Sequence, residues 1–153
     1  MFDEFSKAVI YGDLDKVRQM MTVDQAIINK PDKYGFCPLH NVMTEEQFDI
    51  VAYLIANGAD VNIQNDVGIT PLYLAAYVEN AKLLLDGGAA INIRDRNGNT
   101  PLHILAAEGQ ESYEVLAFLI ENKADKAIAN NQGKTAFDIA KMREDWDNVE
   151  LLQ

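Results

Sequence analysis

Apolar positions recur along the chain in two alternating arrangements. In Phe48–Ala56 they fall at Phe48, Val51, Ala52, Leu54 and Ile55, the three-and-four spacing of an amphipathic helix. In Leu72–Tyr77 they are continuous over a shorter stretch, which predicts a short buried helix. Thr70 and Pro71 precede it, and a capping Thr followed by Pro suits the first helical turn. Polar segments containing Gly separate these helices. Gly58 is placed to stop the longer helix, and Asp60–Ile63 reads as an extended stretch leading into a tight hairpin turn around the next Gly. The longest unbroken apolar runs, Ile50–Ala56 and Leu72–Val78, are far shorter than the roughly 20 residues a membrane-spanning helix needs.

The alternation is a repeat. Gly35-Phe-Cys-Pro-Leu-His40 matches Gly68-Ile-Thr-Pro-Leu-Tyr73 and Gly98-Asn-Thr-Pro-Leu-His103, and Gly133-Lys-Thr-Ala-Phe-Asp138 follows more loosely. The successive Gly spacings are 33, 30 and 35 residues. A second element recurs in phase: Leu54-Ile-Ala-Asn-Gly-Ala-Asp-Val-Asn62, Leu84-Leu-Asp-Gly-Gly-Ala-Ala-Ile-Asn92 and, more weakly, Leu119-Ile-Glu-Asn-Lys-Ala-Asp125. One such unit cannot bury its own apolar faces, but a stack of them can.

Heads of the form Thr/Cys-Pro-Leu-His/Tyr and tails of the form Gly-Ala-Asp-Val-Asn make the chain resemble the ankyrin repeat family over nearly its whole length. The resemblance implies an all-α repeat solenoid, an ankyrin-type stack of helix pairs with β-hairpin-like connecting loops. It divides the chain into one domain of about five units, at 1–31, 32–64, 65–94, 95–129 and 130–153. The first, around Ala8–Arg18, resembles an N-terminal cap. The last, Thr135–Leu152, resembles a closing helix pair with Lys141, Arg143, Glu144, Asp145 and Asp147 on its outer side. Two units depart from the family spacing. The third is short, its helix-to-helix turn compressed into Tyr77–Lys82. The fourth is long, with extra residues in Glu108–Tyr113. Length drift in exposed turns and a shaped docking surface both remain open as explanations.

Charge narrows the partners. There are 24 acids and 13 bases, giving a net charge of −11, and the acids are spread over both halves. This excludes most nucleic-acid binders, which need clustered Lys and Arg, and argues against an anionic membrane surface. It favours a protein partner with a basic surface. One cysteine, Cys37, leaves no internal disulfide and no multi-Cys zinc cluster. The N-terminus has acids where a signal peptide has positive charge. The expectation is a cytoplasmic monomer.

No catalytic constellation emerges, and neither a cofactor nor a metal is expected. Gly133-Lys-Thr135 has the tail of a phosphate-binding loop, but the required earlier Gly is Ile128. Aligned on Gly98, a calcium loop would need ligands at Ile93 and Ile104. Asp95 is better placed to hold its own hairpin turn. His40 and His103 lie two units apart, too far to share a metal, and are expected to orient their hairpins by hydrogen bonds. Cys37 is read as a half-buried inert thiol, with activation at a helix start as the alternative.

The resemblance also implies that hairpin tips and first helices bind another protein. The positions carried over include Lys33, Tyr34, Phe36 and Glu45 in the second unit, and Asp66, Val67, Ile69 and Tyr77 in the third, and Tyr73 joins them as an aromatic residue just below the tips. Arg96, Asn97, Asn99 and Glu108 follow in the fourth. Apolar tips are unusual in themselves: Tyr34, Phe36, Val67 and Ile69 cluster on two adjacent tips with acids around them, the pattern of an interaction surface. Inward packing of Phe36 and Ile69 is the alternative. The functional expectation is a non-enzymatic module that inhibits or sequesters a basic partner, in the manner of an immunity protein that neutralises a toxin. The alternatives are a scaffold joining two proteins and, further off, an enzyme or small-molecule binder.

Overall fold

In the computed structural model, which describes residues 2–153, the helices pair off along the chain. Helices α1 (Phe2–Ile10) and α2 (Leu14–Val23) form the first pair, with the Asp13 carboxylate accepting from the Lys16 N–H to cap α2. Then come α3 (Pro38–Asn41) with α4 (Phe48–Ala56), a 3-10 turn at Pro71–Leu74 with α5 (Val78–Asp86), α6 (Pro101–Glu108) with α7 (Tyr113–Glu121), and α8 (Ala136–Met142) with α9 (Trp146–Leu152). First helices pack on one another from α1 through α3, the 71–74 turn and α6 to α8, while α4, α5, α7 and α9 pack as a second row. There is no β-strand among the described residues. Val51, Leu54, Leu72, Leu84, Leu102, Leu105, Leu116 and Leu119 belong to one apolar seam between the rows, each essentially inaccessible to water.

One turn design is used four times. Asp32, Asn65, Asp95 and Asn130 each stand three residues before a tip glycine. Each uses one side-chain oxygen to accept two backbone N–H groups, those of the residues on either side of that glycine, at 2.8–3.1 Å. The same four residues donate their own N–H across the turn, to the carbonyls of Phe36, Ile69, Asn99 and Lys134. A short polar side chain thus replaces a strand ladder, which is why these loops are hairpin-like without being β-sheet.

Neighbouring tips are joined by one main-chain bond each: Asp66 N–H to Tyr34 O, Arg96 N–H to Val67 O, and Asn131 N–H to Asn97 O. A second tie comes from the tails. Asn29 and Asn62 each bracket the next unit with both amide atoms, to Gly58 O and Asp60 N and to Gly88 O and Ala90 N. Asn92 accepts from Asp125 N–H.

Three expectations need correction. Asp60–Ile63 is a turn, not an extended stretch, because the Asp60 carboxylate accepts from Asn62 N–H and its carbonyl from Ile63 N–H. The helix expected over Leu72–Tyr77 is only the 3-10 turn, and the compressed connection is Ala75–Tyr77, not Tyr77–Lys82, most of which is already α5. The physical reason is length. With three residues fewer than its neighbour, this unit reaches its second helix only by extending, since an extended residue spans about 3.3 Å against about 1.5 Å in a helix. Ala75 and Tyr77 are accordingly in the extended region. The crossing is tied back to the preceding unit: Ala76 N–H donates to Met43 O at 3.1 Å, and Asn80 Nδ2 donates to Met43 O and Glu45 O at 2.9 and 3.2 Å.

Candidate functional site

Two histidines and one tyrosine hold the face formed by tips and first helices. His40 Nδ1 lies 3.1 Å from the Cys37 backbone nitrogen, and its Nε2 lies 2.9 Å from Ile69 O. His103 repeats this with the Thr100 nitrogen at 3.0 Å and Lys134 O at 3.0 Å. A backbone N–H can only donate and a carbonyl can only accept, so both rings are neutral with the proton on Nε2. Burial lowers both pKa values and favours the same state. The rings therefore orient the hairpins by hydrogen bonds, as expected.

Tyr73 stands at the equivalent position in the third unit and is fully buried. Its hydroxyl lies 2.8 Å from Ile93 O and 2.7 Å from Asn99 O. Asn99 O corresponds to the carbonyls that the two histidines reach, so Tyr73 makes the same link to the following tip. The expectation that Tyr73 contributes to a contact surface is thus overturned: its ring is enclosed and its hydroxyl is used internally. Burial also raises its pKa, keeping the phenol protonated. Lacking a ring nitrogen, it cannot accept from Thr70 N–H, so the third unit has no counterpart of the bond from a backbone N–H to a histidine Nδ1 that starts α3 and α6.

Tyr34 and Val67 are the open apolar side chains of the tips, 58% and 55% exposed. The Asp66 N–H to Tyr34 O bond, 3.3 Å long, places the two tips side by side. Lys33 covers one side of the Tyr34 ring, its ammonium 4.7 Å from the centroid. Phe36 and Ile69 are half-buried, and Phe36 meets the His40 ring edge-on at 5.5 Å. Tyr77 is half-buried and edge-on to Phe48 at 5.8 Å. Of the acids, Asp66 is exposed and Glu45 half-buried, whereas Asp32 accepts the N–H groups of its own turn. Lys33, Arg96, Asn97 and Glu108 are exposed, and Asn99 is half-buried and bonded to Asp95 and Asn130.

Between the last two tips runs a groove with an amide rim and an apolar floor. Asn97, Asn99, Asn130, Asn131 and Gln132 supply the rim, and Ile104, Ala107 and Ile139 the floor. The floor was missed in the sequence because these residues sit within helical apolar patterns and differ in no way from core positions there.

Cys37 is buried, and its thiol donates to Asn29 O at 3.3 Å. Burial, then the charges of Asp32 and Asp60, push its pKa up to about 11. This is the inert reading, not the activated one. Iodoacetamide at pH 8 should alkylate the folded protein at least about 100-fold more slowly than the denatured chain, where the thiol returns to about 8.5. Equal rates under both conditions would contradict the burial. Among the described residues no group of His, Cys, Asp and Glu is arranged to hold a metal, and no helix is long and apolar enough to cross a membrane.

The profile of ankyrin repeats in three copies matches residues 5–95 and, overlapping, 72–153. The chain belongs to the ankyrin repeat family. Ankyrin repeats are protein–protein interaction modules, and the family is generally non-enzymatic. Among similar proteins, the human ankyrin repeat and SOCS box protein 16 is 38% identical over 110 residues, 69% of this chain and 24% of its own length. Alpha-latrocrustotoxin-Lt1a of Latrodectus tredecimguttatus is 34% identical over 76 residues, 50% of this chain and 5% of its own. The mouse RelA-associated inhibitor is 38% identical over 69 residues, 45% of this chain and 8% of its own. The ankyrin repeat chain thus spans less than a quarter of the length of each of these relatives.

Proposed function

We propose that this ankyrin repeat chain binds a protein with a basic surface and inhibits or sequesters it, through the row of tips and first helices. The observation that carries this reading is the pair Tyr34 and Val67, apolar, exposed and adjacent on tips whose other exposed side chains, Lys33 and Asp66, are charged, in a protein of net charge −11. Exposed aromatic groups are favoured interface anchors, and a surrounding negative field speeds encounter with a positive partner. Lys33, Phe36, Glu45, Asp66, Ile69, Tyr77, Arg96, Asn97, Asn99 and Glu108 complete the proposed contact surface, with Phe36, Ile69 and Tyr77 contributing their accessible edges. One relative carries the word inhibitor in its name, which suits this reading. Protection against a toxin is the specific form we favour, with the protein acting as a monomer in the cytoplasm, where a lone unoxidised Cys37 is at home.

Affinity capture from the native cell, followed by an activity assay of what co-elutes, tests the proposal. The paired change Tyr34→Ala and Val67→Ala should weaken binding about 30-fold or more, since a central aromatic anchor such as Tyr34 contributes about 2 kcal/mol and Val67 adds to it. Unchanged affinity would remove the tips from the interface. The adaptor reading requires a second surface on the same chain.

A further inference from the structure

The enlarged turn of the fourth unit and the turn of the last unit lie at the ends of α6 and α8 away from the tips. They touch through one bond, Gln110 Nε2 to Asp147 Oδ2 at 2.8 Å. A hollow opens on each side of that bond. One is lined by Trp146 with Glu144 and Asp147, the other by Tyr113 with Glu114 and Asp147. Trp146 is 63% exposed and Tyr113 38%, and the carboxylates of Glu111, Glu114, Glu144 and Asp147 are exposed beside them.

None of these carboxylates is in an ion pair. The two salt bridges among the described residues, Lys7–Asp3 and Arg18–Asp15, are both in the first helix pair. Lys141 and Arg143 are the bases of the last turn and pair with no carboxylate. Asp145 is set apart, since its two oxygens accept from Asn148 and start α9.

We infer that this double hollow is a second docking surface, separate from the tips, that takes an arginine-rich segment of a protein partner. The chemistry selects that occupant. A guanidinium stacks on the face of Trp or Tyr and at the same time donates to carboxylates in its own plane. Two aromatic groups, each flanked by unpaired carboxylates and separated by a single hydrogen bond, offer that combination twice. The added residues of the fourth unit are what carry Gln110 out to meet Asp147 at the start of α9, so the length departure has a use here.

Trp146 is the one tryptophan of the chain and reports directly on this surface. Hexa-arginine, titrated at low ionic strength, should change Trp146 emission saturably. Anisotropy of the labelled peptide then gives its affinity for variants. The triple change Glu111→Gln, Glu114→Gln and Asp147→Asn should weaken binding about tenfold, each exposed charge contributing a modest share. The triple change Glu45→Gln, Glu46→Gln and Asp66→Asn removes the same charge from the second and third units, outside this surface, and should alter it by less than about twofold. An unresponsive Trp146, or equal weakening by both triples, would overturn the inference and leave only net-charge attraction. The tip surface is tested by Tyr34 and Val67 variants against the captured partner, so failure of either proposal is seen separately.

Discussion

Asn80→Asp should be among the most destabilising single substitutions in this chain, lowering the unfolding free energy by about 4 kcal/mol, with Asn80→Ala costing about half as much. Asn80 is completely buried on α5. Its amide donates to the carbonyls of Met43 and Glu45, and its own oxygen has no partner. Alanine removes two buried bonds and leaves Glu45 O without this donor, but it also removes the orphan oxygen, so the loss is partly offset. Aspartate keeps the shape and supplies only oxygen toward two carbonyls. It must either stay charged in a dry site or take up a proton to donate. Urea unfolding midpoints of the three proteins test this, with the expected order wild type, alanine, aspartate. An aspartate variant as stable as wild type would show that the two bonds from Asn80 to the Met43 and Glu45 carbonyls contribute nothing to stability.

Gly68→Ala should cost about 3 kcal/mol, while Gly133→Ala should cost about 1 kcal/mol. Both glycines have positive φ, +89° and +73°, so both substitutions carry the left-handed penalty. Only Gly68 has a neighbour in the way. A Cβ there would lie 2.9 Å from Arg96 N and 2.9 Å from Asp95 Cα, main-chain atoms of the next tip. Relief requires the two tips to part, which breaks the Arg96 N–H to Val67 O bond. At Gly133 no atom lies within 4 Å. The difference between the two variants, read from urea unfolding, isolates close tip stacking from backbone conformation. Equal effects would show that stacking contributes nothing.

Much of this architecture could be read from local pattern. The tip residue three before each glycine is Asp or Asn, and such side chains bond their own backbone two residues on, so the role expected of Asp95 is the role observed in all four tips. The helix Phe48–Ala56 forms as expected and buries Val51 and Leu54, but Ala52 is exposed and Ile50, outside the expected set, is buried in its place. The Asp60–Ile63 turn was missed for a local reason, the bond of the Asp60 carboxylate to Asn62 N–H, but two other expectations failed for non-local ones. Tyr73 looked like a surface aromatic because nothing in its own unit shows that the carbonyl of Asn99, 26 residues on, is waiting for its hydroxyl. The helix over Leu72–Tyr77 has good local propensity. It was overridden because α5 must be reached in fewer residues.

The division follows from the range of the interactions. Repeat period, turn chemistry, capping and the absence of a membrane-length apolar run depend on residues a few positions apart, so the linear order of side chains decides them. Which tip residues are open depends on contacts about 30 residues away in sequence. Tyr34 and Val67 remain exposed, while Tyr73 is enclosed with its hydroxyl on the carbonyls of Ile93 and Asn99 in the following unit. The pairing of Gln110 with Asp147, which brings Trp146 and Tyr113 to one surface, exists only because successive units stack. In a repeat protein each unit is legible alone, but a surface belongs to neighbours, and only their packing creates it.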